Sequence, residues 1–306
     1  MDDTDSRHDA GTVLRAGGGV YHVALDDGTT FETSLRGRLK LEQRTGDRVV
    51  AGDRVSVRSH DDGSHTIEHV EPRSSELARR APGRRPVAKV IVANVDQVVI
   101  VLAAARPAPN ARVLDRLLVL AESNEIPALI VLNKIELRAA HEIDALLAPY
   151  VTAGYEILRT SAADGTGIDS LRERLCNRDS VLTGPSGAGK SSLLNAVQPG
   201  LSLRTAEVSE AVGKGRHTTV AASIIPLGCG GWVADTPGLR EVGLWGVDDA
   251  SLDTAFPEFR SFLGQCRFGN SCSHTHEPSC AIRSAVANGA IDRGRYDSYV
   301  AMLADE

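Results

Sequence analysis

Long apolar runs are missing from this sequence of 306 residues: none approaches the roughly 20 residues that a membrane span requires. The opening stretch MDDTDSRHDA is acidic and polar, with neither the basic start nor the apolar core of a secretory signal. A soluble, cytoplasmic chain without a membrane partner is expected. Cysteine is scarce, five residues in all, and an odd count in a long chain without a signal argues against a disulfide scaffold. An excess of positive charge is also missing. Lys plus Arg number 34 against 40 Asp plus Glu, a formal net charge of −6, so nucleic acid is not held by the surface as a whole and any phosphate contact needs a local patch. The densest basic stretch lies within 73–89, where Arg73, Arg79, Arg80, Arg84, Arg85 and Lys89 face only Glu76.

What is present suits two or three domains: 42% of the residues are hydrophobic and 24% charged. Residues 8–75 lack any useful helical period and carry short alternating runs, such as 20–25 and 55–58, each followed by an Asp-Asp-Gly turn at 26–28 or 61–63. Such hairpin signals predict a small closed β-barrel, an oligonucleotide-binding (OB) fold, with an SH3-like barrel as the alternative. The Arg- and Pro-containing stretch 76–86 reads as a linker. From 87 to 247 the texture changes to buried strands alternating with helices: strand at 97–102, helix at 111–123, strand at 128–132. That alternation predicts an α/β domain with a parallel-rich sheet covered on both faces. Residues 248–306 read as helical, with helices at 251–263 and 282–303 flanking a Cys/His-rich loop and a stripe of Ile291, Tyr296, Tyr299, Val300 and Leu303. A helical unit this small needs a staple.

The α/β segment contains Gly184-Pro185-Ser186-Gly187-Ala188-Gly189-Lys190-Ser191, followed by Ser192 and a helical run and preceded by a short strand at 180–183. This is a phosphate-binding loop in the context the motif requires. Its glycines let backbone N–H groups converge on a phosphate at a helix N-terminus, Lys190 reaches the β- and γ-phosphates, and Ser191 ligates Mg²⁺. Further on, a strand at 231–234 delivers Asp235-Thr236-Pro237-Gly238, a carboxylate for the magnesium side and a glycine N–H for the γ-phosphate, the form of a switch element. Between them, Gly213-Lys214-Gly215-Arg216-His217-Thr218-Thr219 offers Thr218 or Thr219 as a second magnesium contact. The base-reading candidates are Asn133, Lys134 and Glu136, within Asn133-Lys134-Ile135-Glu136, backed by Ser161 and Ala162 of Thr160-Ser161-Ala162. Both motifs precede the phosphate loop, so the order is circularly permuted relative to an ordinary GTPase. A sheet tolerates this when its natural ends lie close enough to be joined. At the C-terminal end, Cys266-x₅-Cys272-x-His274-x₅-Cys280 supplies three thiolates and an imidazole, a set suited to a closed tetrahedral zinc site, with His276 as a rival to His274. Cys176 and Cys229 lie outside it and are expected to pack as small hydrophobes.

Taken together with Ala93-Asn94-Val95-Asp96-Gln97, these motifs resemble, over essentially the whole chain, the RsgA (YjeQ) family of circularly permuted, ribosome-associated GTPases. The resemblance implies GTP hydrolysis to GDP and phosphate stimulated by the 30S ribosomal subunit, a late role in its maturation, a barrel that contacts 16S rRNA, Mg²⁺ with the GTP, and one structural zinc; it favours His274 as the fourth ligand. In one respect the chain departs from the family, which usually carries Asp where Glu136 stands. Glutamate keeps the charge and both acceptors but adds a methylene. Leu239 follows Gly238 where many GTPases place a water-orienting glutamine, which leaves His217 as the candidate catalytic group. Intrinsic turnover is then expected to be slow, on the order of 10⁻⁴ to 10⁻² s⁻¹, with acceleration by a docked partner. The short run Leu244-Trp245-Gly246 is expected to carry the nucleotide state to the C-terminal unit. The repeated Gly46-Asp47-Arg48-Val49 and Gly52-Asp53-Arg54-Val55 read as a chance duplication of a strand lead-in. A monomer is expected. The competing readings are a generic P-loop ATPase or small-molecule kinase, although no acceptor-pocket signature is present, and an RNA-binding protein with a regulatory nucleotide site.

Overall fold

A computed structural model describes residues 8–37, 39, 48–80, 88–201, 203, 222–236 and 251–304. The N-terminal strands are β1 (His8–Gly17), β2 (Val20–Leu25), β3 (Thr30–Leu35), β4 (Arg54–Ser59) and β5 (His65–Val70). Their turns follow from the sequence. Gly28 and Gly63 sit at φ of 88° and 78°, conformations that glycine adopts without strain, and the preceding aspartates accept from the backbone, Thr29 N to Asp27 Oδ1 at 2.8 Å and Ser64 N to Asp62 Oδ1 at 2.9 Å. Alternation turns Val13, Tyr21, Val23, Leu35, Val55, Val57 and Ile67 into one core. The pairings β1–β2, β2–β3, β4–β5 and β1–β4 are antiparallel and β3–β5 is parallel. The sheet therefore closes in the order 1-2-3-5-4-1, the OB topology rather than the SH3-like one.

The stretch that reads as a linker opens with a strand, β6 (Glu76–Arg80), antiparallel to β7 (Ala88–Ala93). Leu77 accounts for it: fully buried, it joins Val92 and Ala51 in the core of the α/β unit. Residues 81–86 of that stretch lie outside the described residues. Nor is the second copy of the duplicated tetrapeptide idle. Asp53, buried in the wall of the barrel, accepts from Arg73 Nε at 2.7 Å and Nη2 at 3.0 Å. Gly52 has φ of 90°, and a Cβ there would stand 2.1 Å from the Ala93 carbonyl oxygen, so only glycine lets the barrel come this close to β7. Asn94 completes the joint, donating to Gly52 O at 2.9 Å and accepting from Ser74 N at 2.8 Å.

The α/β unit holds β8 (Gln97–Ala103), β9 (Ala128–Asn133), β10 (Glu156–Arg159), β11 (Arg178–Thr183), β12 (Ser223–Pro226) and β13 (Gly231–Asp235), with helices α1 (Ala111–Ser123), α2 (Ala140–Thr152), α3 (Ile168–Leu175) and α4 (Lys190–Val197). The order is β10-β9-β8-β11-β13-β12, parallel except for β12. Every residue of β8 is buried, as two covered faces demand. Val98, Ile100 and Leu102 pack with Leu114, Leu118 and Leu147 of α1 and α2, while Val99 and Val101 pack with Leu171, Leu193 and Leu194 of α3 and α4. Beyond β12 the sheet runs on into the barrel, among the described residues through the pairing of Arg15 of β1 with Ser223.

Cys176 and Cys229 do not simply pack as small hydrophobes: a disulfide joins them, with Cα atoms 5.2 Å apart. Local backbone brings them together, because Asn177 at φ of 56° turns its N–H onto Gly230 O at 2.9 Å.

The C-terminal unit comprises 3₁₀ turns at Asp253–Ala255, Pro257–Phe259 and Gly269–Ser271, then α5 (Ala281–Ala287) and α6 (Arg293–Ala304). The helix expected at 251–263 is thus a pair of short turns. Pro257 forces Phe256 to extended geometry, φ −106° and ψ 100°, which breaks the helical path and lets Phe256 and Phe259 enter the core beside Tyr299. This unit docks on α1. Arg295 of α6 bonds Asp115 Oδ1 at 2.6 Å and Glu258 Oε1 at 2.7 Å, and Arg260 bonds Glu122 Oε2 at 2.6 Å. Among the described residues no helix is long and apolar enough to cross a membrane.

Candidate functional site

The phosphate loop bridges the C-terminal end of β11, at the centre of the α/β sheet, and the first turn of α4. Its glycines are there for space as much as for rotation. A Cβ on Gly184 would stand 2.1 Å from Val101 O, and one on Gly189 would stand 2.2 Å from Asn133 Nδ2. Lys190 is buried, its ammonium donating to Gly184 O at 2.7 Å and Pro185 O at 2.9 Å, so the charge is poised at the loop's mouth. Ser191 and Ser192 are half-buried in the first turn of α4, where helix N-terminal N–H groups and the helix dipole favour an anion.

Asn133, at the end of β9, is buried against this loop. Its Nδ2 donates to Ala188 O at 3.0 Å, and its Oδ1 accepts from Ala162 N at 3.3 Å and Thr160 Oγ1 at 3.4 Å. Lys134, at φ of 61°, donates to Gly187 O at 2.7 Å and Arg106 O at 2.6 Å. Two motifs some fifty residues apart in sequence therefore form one surface. Glu136 is exposed on the 3₁₀ turn Ile135–Leu137. Ser161 is buried, with its N–H on Thr166 O at 2.9 Å and its Oγ accepting from Asp164 N at 3.3 Å. Asp235 ends β13 in register with Leu182 of β11, which places it on the strand next to the loop. The hydroxyls of Thr183 and Thr236, at neighbouring strand ends, are buried without a protein partner. Free polar atoms of this kind suit a polar ligand at the same edge of the sheet.

His217, Thr218, Thr219 and Gly238 lie outside the described residues. Motif reading missed the loop that carries Arg106 and Pro107: it holds Lys134 and brings Pro107 Cδ to 3.3 Å from where a Gly187 Cβ would be. The positive φ of 53° at Arg106 has no signature in sequence. Gly189→Ala is expected to push Asn133 off Ala188 and to destabilise the chain by about 2–3 kcal/mol, read as a fall in thermal midpoint. An unchanged midpoint would show that the loop adjusts freely.

A second constellation lies in the C-terminal unit. Cys266, Cys272, His274 and Cys280 are all buried, with ligand atoms within 4.8 Å of one another. Cys266 Sγ is 3.8 Å from Cys280 Sγ, and His274 Nδ1 is 3.5 Å from Cys266 Sγ and 3.4 Å from Cys280 Sγ. Thiolates about 2.3 Å and an imidazole about 2.0 Å from a tetrahedral ion stand about 3.5–3.8 Å apart, so this set fits a metal such as zinc. The histidine in the set is His274, while His276 is exposed. Motif reading did not find the supports. Asp253 Oδ2 lies 3.4 Å from His274 Nε2 and leaves Nδ1 for the metal. Tyr296 OH donates to His274 O at 2.7 Å, and Ala281 N donates to Cys266 Sγ at 3.3 Å.

Known proteins resemble this chain in sequence and in fold. The RsgA GTPase family model matches residues 70–245. The small ribosomal subunit biogenesis GTPase RsgA of Gemmatimonas aurantiaca is 50% identical over 298 residues, covering 97% of this chain and 96% of that one. Its namesake from Moorella thermoacetica is 44% identical over 295 residues, covering 96% of each. Among solved structures, YjeQ from Thermotoga maritima superposes with a TM-score of 0.78 at 34% identity over 98% of each chain. YloQ, a circularly permuted GTPase, gives 0.73 at 28% identity, covering 100% of this chain and 97% of that one. With the permuted motifs gathered on one edge of an α/β sheet between an OB barrel and a Cys₃His unit, the chain belongs to the RsgA GTPase family.

Proposed function

We propose that the chain hydrolyses GTP to GDP and phosphate in the service of small ribosomal subunit biogenesis, as the names of its relatives state for them. The observation that carries this reading is the contact of Asn133 and Lys134 with Ala188 and Gly187. It joins a base-reading loop to a phosphate loop as a GTPase needs, although the sequence presents them in reversed order. In this reading Lys190 exchanges its bonds to Gly184 O and Pro185 O for the β- and γ-phosphates, at the N-terminal turn of α4. Mg²⁺ arrives with the GTP and neutralises phosphate charge; Ser191 and Asp235 would hold it, together with Thr218 or Thr219, and the Gly238 N–H would meet the γ-phosphate. His217 is proposed to orient the attacking water. Glu136 would accept the two guanine N–H donors, with Ser161 and Ala162 closing the base pocket. Zinc in the Cys₃His set is assigned a structural role, since four protein donors leave no position for water. The expected partners are the 30S subunit and its 16S rRNA, met by the barrel, and the expected setting is a cytoplasmic monomer.

The test is phosphate release from GTP and from ATP, each with and without purified 30S subunits at fixed magnesium and salt. GTP-selective turnover that rises steeply with 30S supports the reading. Equal rates indifferent to 30S would leave a generic P-loop hydrolase, and nucleotide binding without stimulated turnover would leave an RNA-binding protein with a regulatory site. Glu136→Ala should cost GTP about 3 kcal/mol of binding, about a hundredfold, because two charge-assisted hydrogen bonds go at once. Glu136→Asp should keep or tighten it. Equal GTP affinity in all three proteins, measured by titration calorimetry, would remove Glu136 from base reading.

A further inference from the structure

We infer that Cys176 and Cys229 form a reversible thiol–disulfide site that clamps the end of the α/β sheet opposite the phosphate loop. The pair is separated by 53 residues of chain and stands apart from the metal-binding cysteines, which remain free thiols. Cys176 follows α3, directly before β11, and Cys229 lies in the turn between β12 and β13. β11 and β13 are neighbours, paired from Arg178 with Gly231 up to Leu182 with Asp235. The bridge thus fixes the start of the ladder at whose other end the phosphate loop and Asp235 emerge.

The site is built for exchange. Cys229 is exposed and Cys176 half-buried, so an exchange partner approaches from the Cys229 side. The backbone around them is held in a dithiol-independent way. Asn177 N donates to Gly230 O at 2.9 Å, Gly228 N donates to Gln198 Oε1 at 2.7 Å, and a Cβ on Gly230 would stand 2.3 Å from Asn177 Oδ1. With these contacts in place the two thiols stay within reach of each other after reduction, which favours reclosure by an oxidised small disulfide: the Cys229 thiolate attacks it and expels one thiolate, the Cys176 thiolate then attacks Cys229 Sγ and expels the other, and the added disulfide takes up the two electrons. The reductant is a dithiol of the thioredoxin class, or a small dithiol in its place. One of its thiolates attacks Cys229 Sγ; the S–S bond breaks, its electron pair leaves on Cys176 Sγ, and that thiolate takes a proton from water. The second thiol of the reductant, as thiolate, then attacks the mixed disulfide, Cys229 leaves as a thiolate, and the reductant is oxidised by two electrons.

An intracellular setting, which rests on the proposed function, makes this traffic expected, since accessible disulfides there are in exchange rather than permanent. The chemistry itself needs neither ribosome nor GTP, and so the test uses the purified full chain alone. Alkylation followed by peptide mass spectrometry should find residues 176 and 229 blocked together after mild oxidation and labelled together after a small dithiol. Reduction should lower the thermal midpoint by about 5–15 °C, as expected for opening a loop of this length. It should also speed amide exchange at 227–231 by about tenfold or more. The Cys176→Ser/Cys229→Ser variant should start near the reduced values and show neither change on addition of dithiol, which separates the bridge from any effect on the metal cluster. Two labelled thiols at 176 and 229 in the oxidised protein would overturn the inference. So would equal responses of wild type and double variant.

Discussion

Arg295→Ala should destabilise the protein by about 3–5 kcal/mol and free the C-terminal unit from α1. The guanidinium is 2% exposed and sits between Asp115 and Glu258, themselves 1% and 7% exposed. It makes a fork of bonds to Glu258, Nε to Oε1 at 2.7 Å and Nη2 to Oε2 at 3.2 Å, and a third bond to Asp115. Tyr150 OH donates to the same Asp115 oxygen at 3.0 Å, and the ring of Phe256 lies 4.7 Å below the guanidinium carbon. Removing the cation leaves two buried carboxylates with no counter-charge and an empty space over the rings of Tyr150, Tyr155 and Phe256. Lysine would not repair it, since an ammonium cannot match the planar fork. Denaturant unfolding monitored alongside hydrogen exchange in α1 and α6 would measure the loss. Arg293→Ala is the control, because its side chain is 74% exposed and an exposed i,i+4 pair is worth about 0.5 kcal/mol. A loss below about 1 kcal/mol at Arg295 would mean that this buried ion cluster does not hold the two units together.

Removal of the metal is expected to do more damage than any single substitution. Structural zinc in small Cys/His units contributes about 10–16 kcal/mol of apparent binding energy at neutral pH, and the cysteines and histidine of the set sit inside the core of residues 251–304. The long segment between Cys266 and Cys280 contains only one short 3₁₀ turn. His274 sits at φ of 61° and Ser279 at 57°, positions that need an external hold. Chelation, or Cys272→Ser, should release about one metal ion per chain, melt α5 and α6, and reproduce the Arg295→Ala exchange pattern in α1, since the interface goes with the unit. Metal content by mass spectrometry with helix content by circular dichroism reads both. Full helicity after complete metal loss would refute the structural role assigned to the ion.

The phosphate loop was legible because it is local: strand, glycine turn and helix are consecutive, and each residue type serves its own backbone. The permuted order was legible for the same reason, motif by motif. The contact between motifs was not, since Asn133 meets Ala188 only after β8 has been placed between β9 and β11. β6 escaped because its pairing partner lies across a gap and its only strong apolar marker is Leu77. Arg295 stands one residue before Tyr296 of the apolar stripe and reads as a solvated neighbour; nothing local says that two carboxylates, one of them 180 residues away, await it. The bridge between Cys176 and Cys229 was missed because composition and an odd cysteine count speak for a whole chain, while a disulfide answers to two backbones. Pro257 was visible throughout, and its effect on a helix at 251–263 follows directly from its ring.

The pairing of Arg15 with Ser223 brings the barrel close to the nucleotide-binding edge of the sheet. Ser223 is itself in register with Asp235 on its other side, so Arg15, Ser223 and Asp235 form one row across three strands. With strands about 4.8 Å apart, the barrel's first strand runs about 10 Å from the carboxylate-bearing end of β13. A body that grips the barrel therefore holds a strand only two neighbours away from Asp235, so that its grip and the nucleotide-binding edge share one sheet.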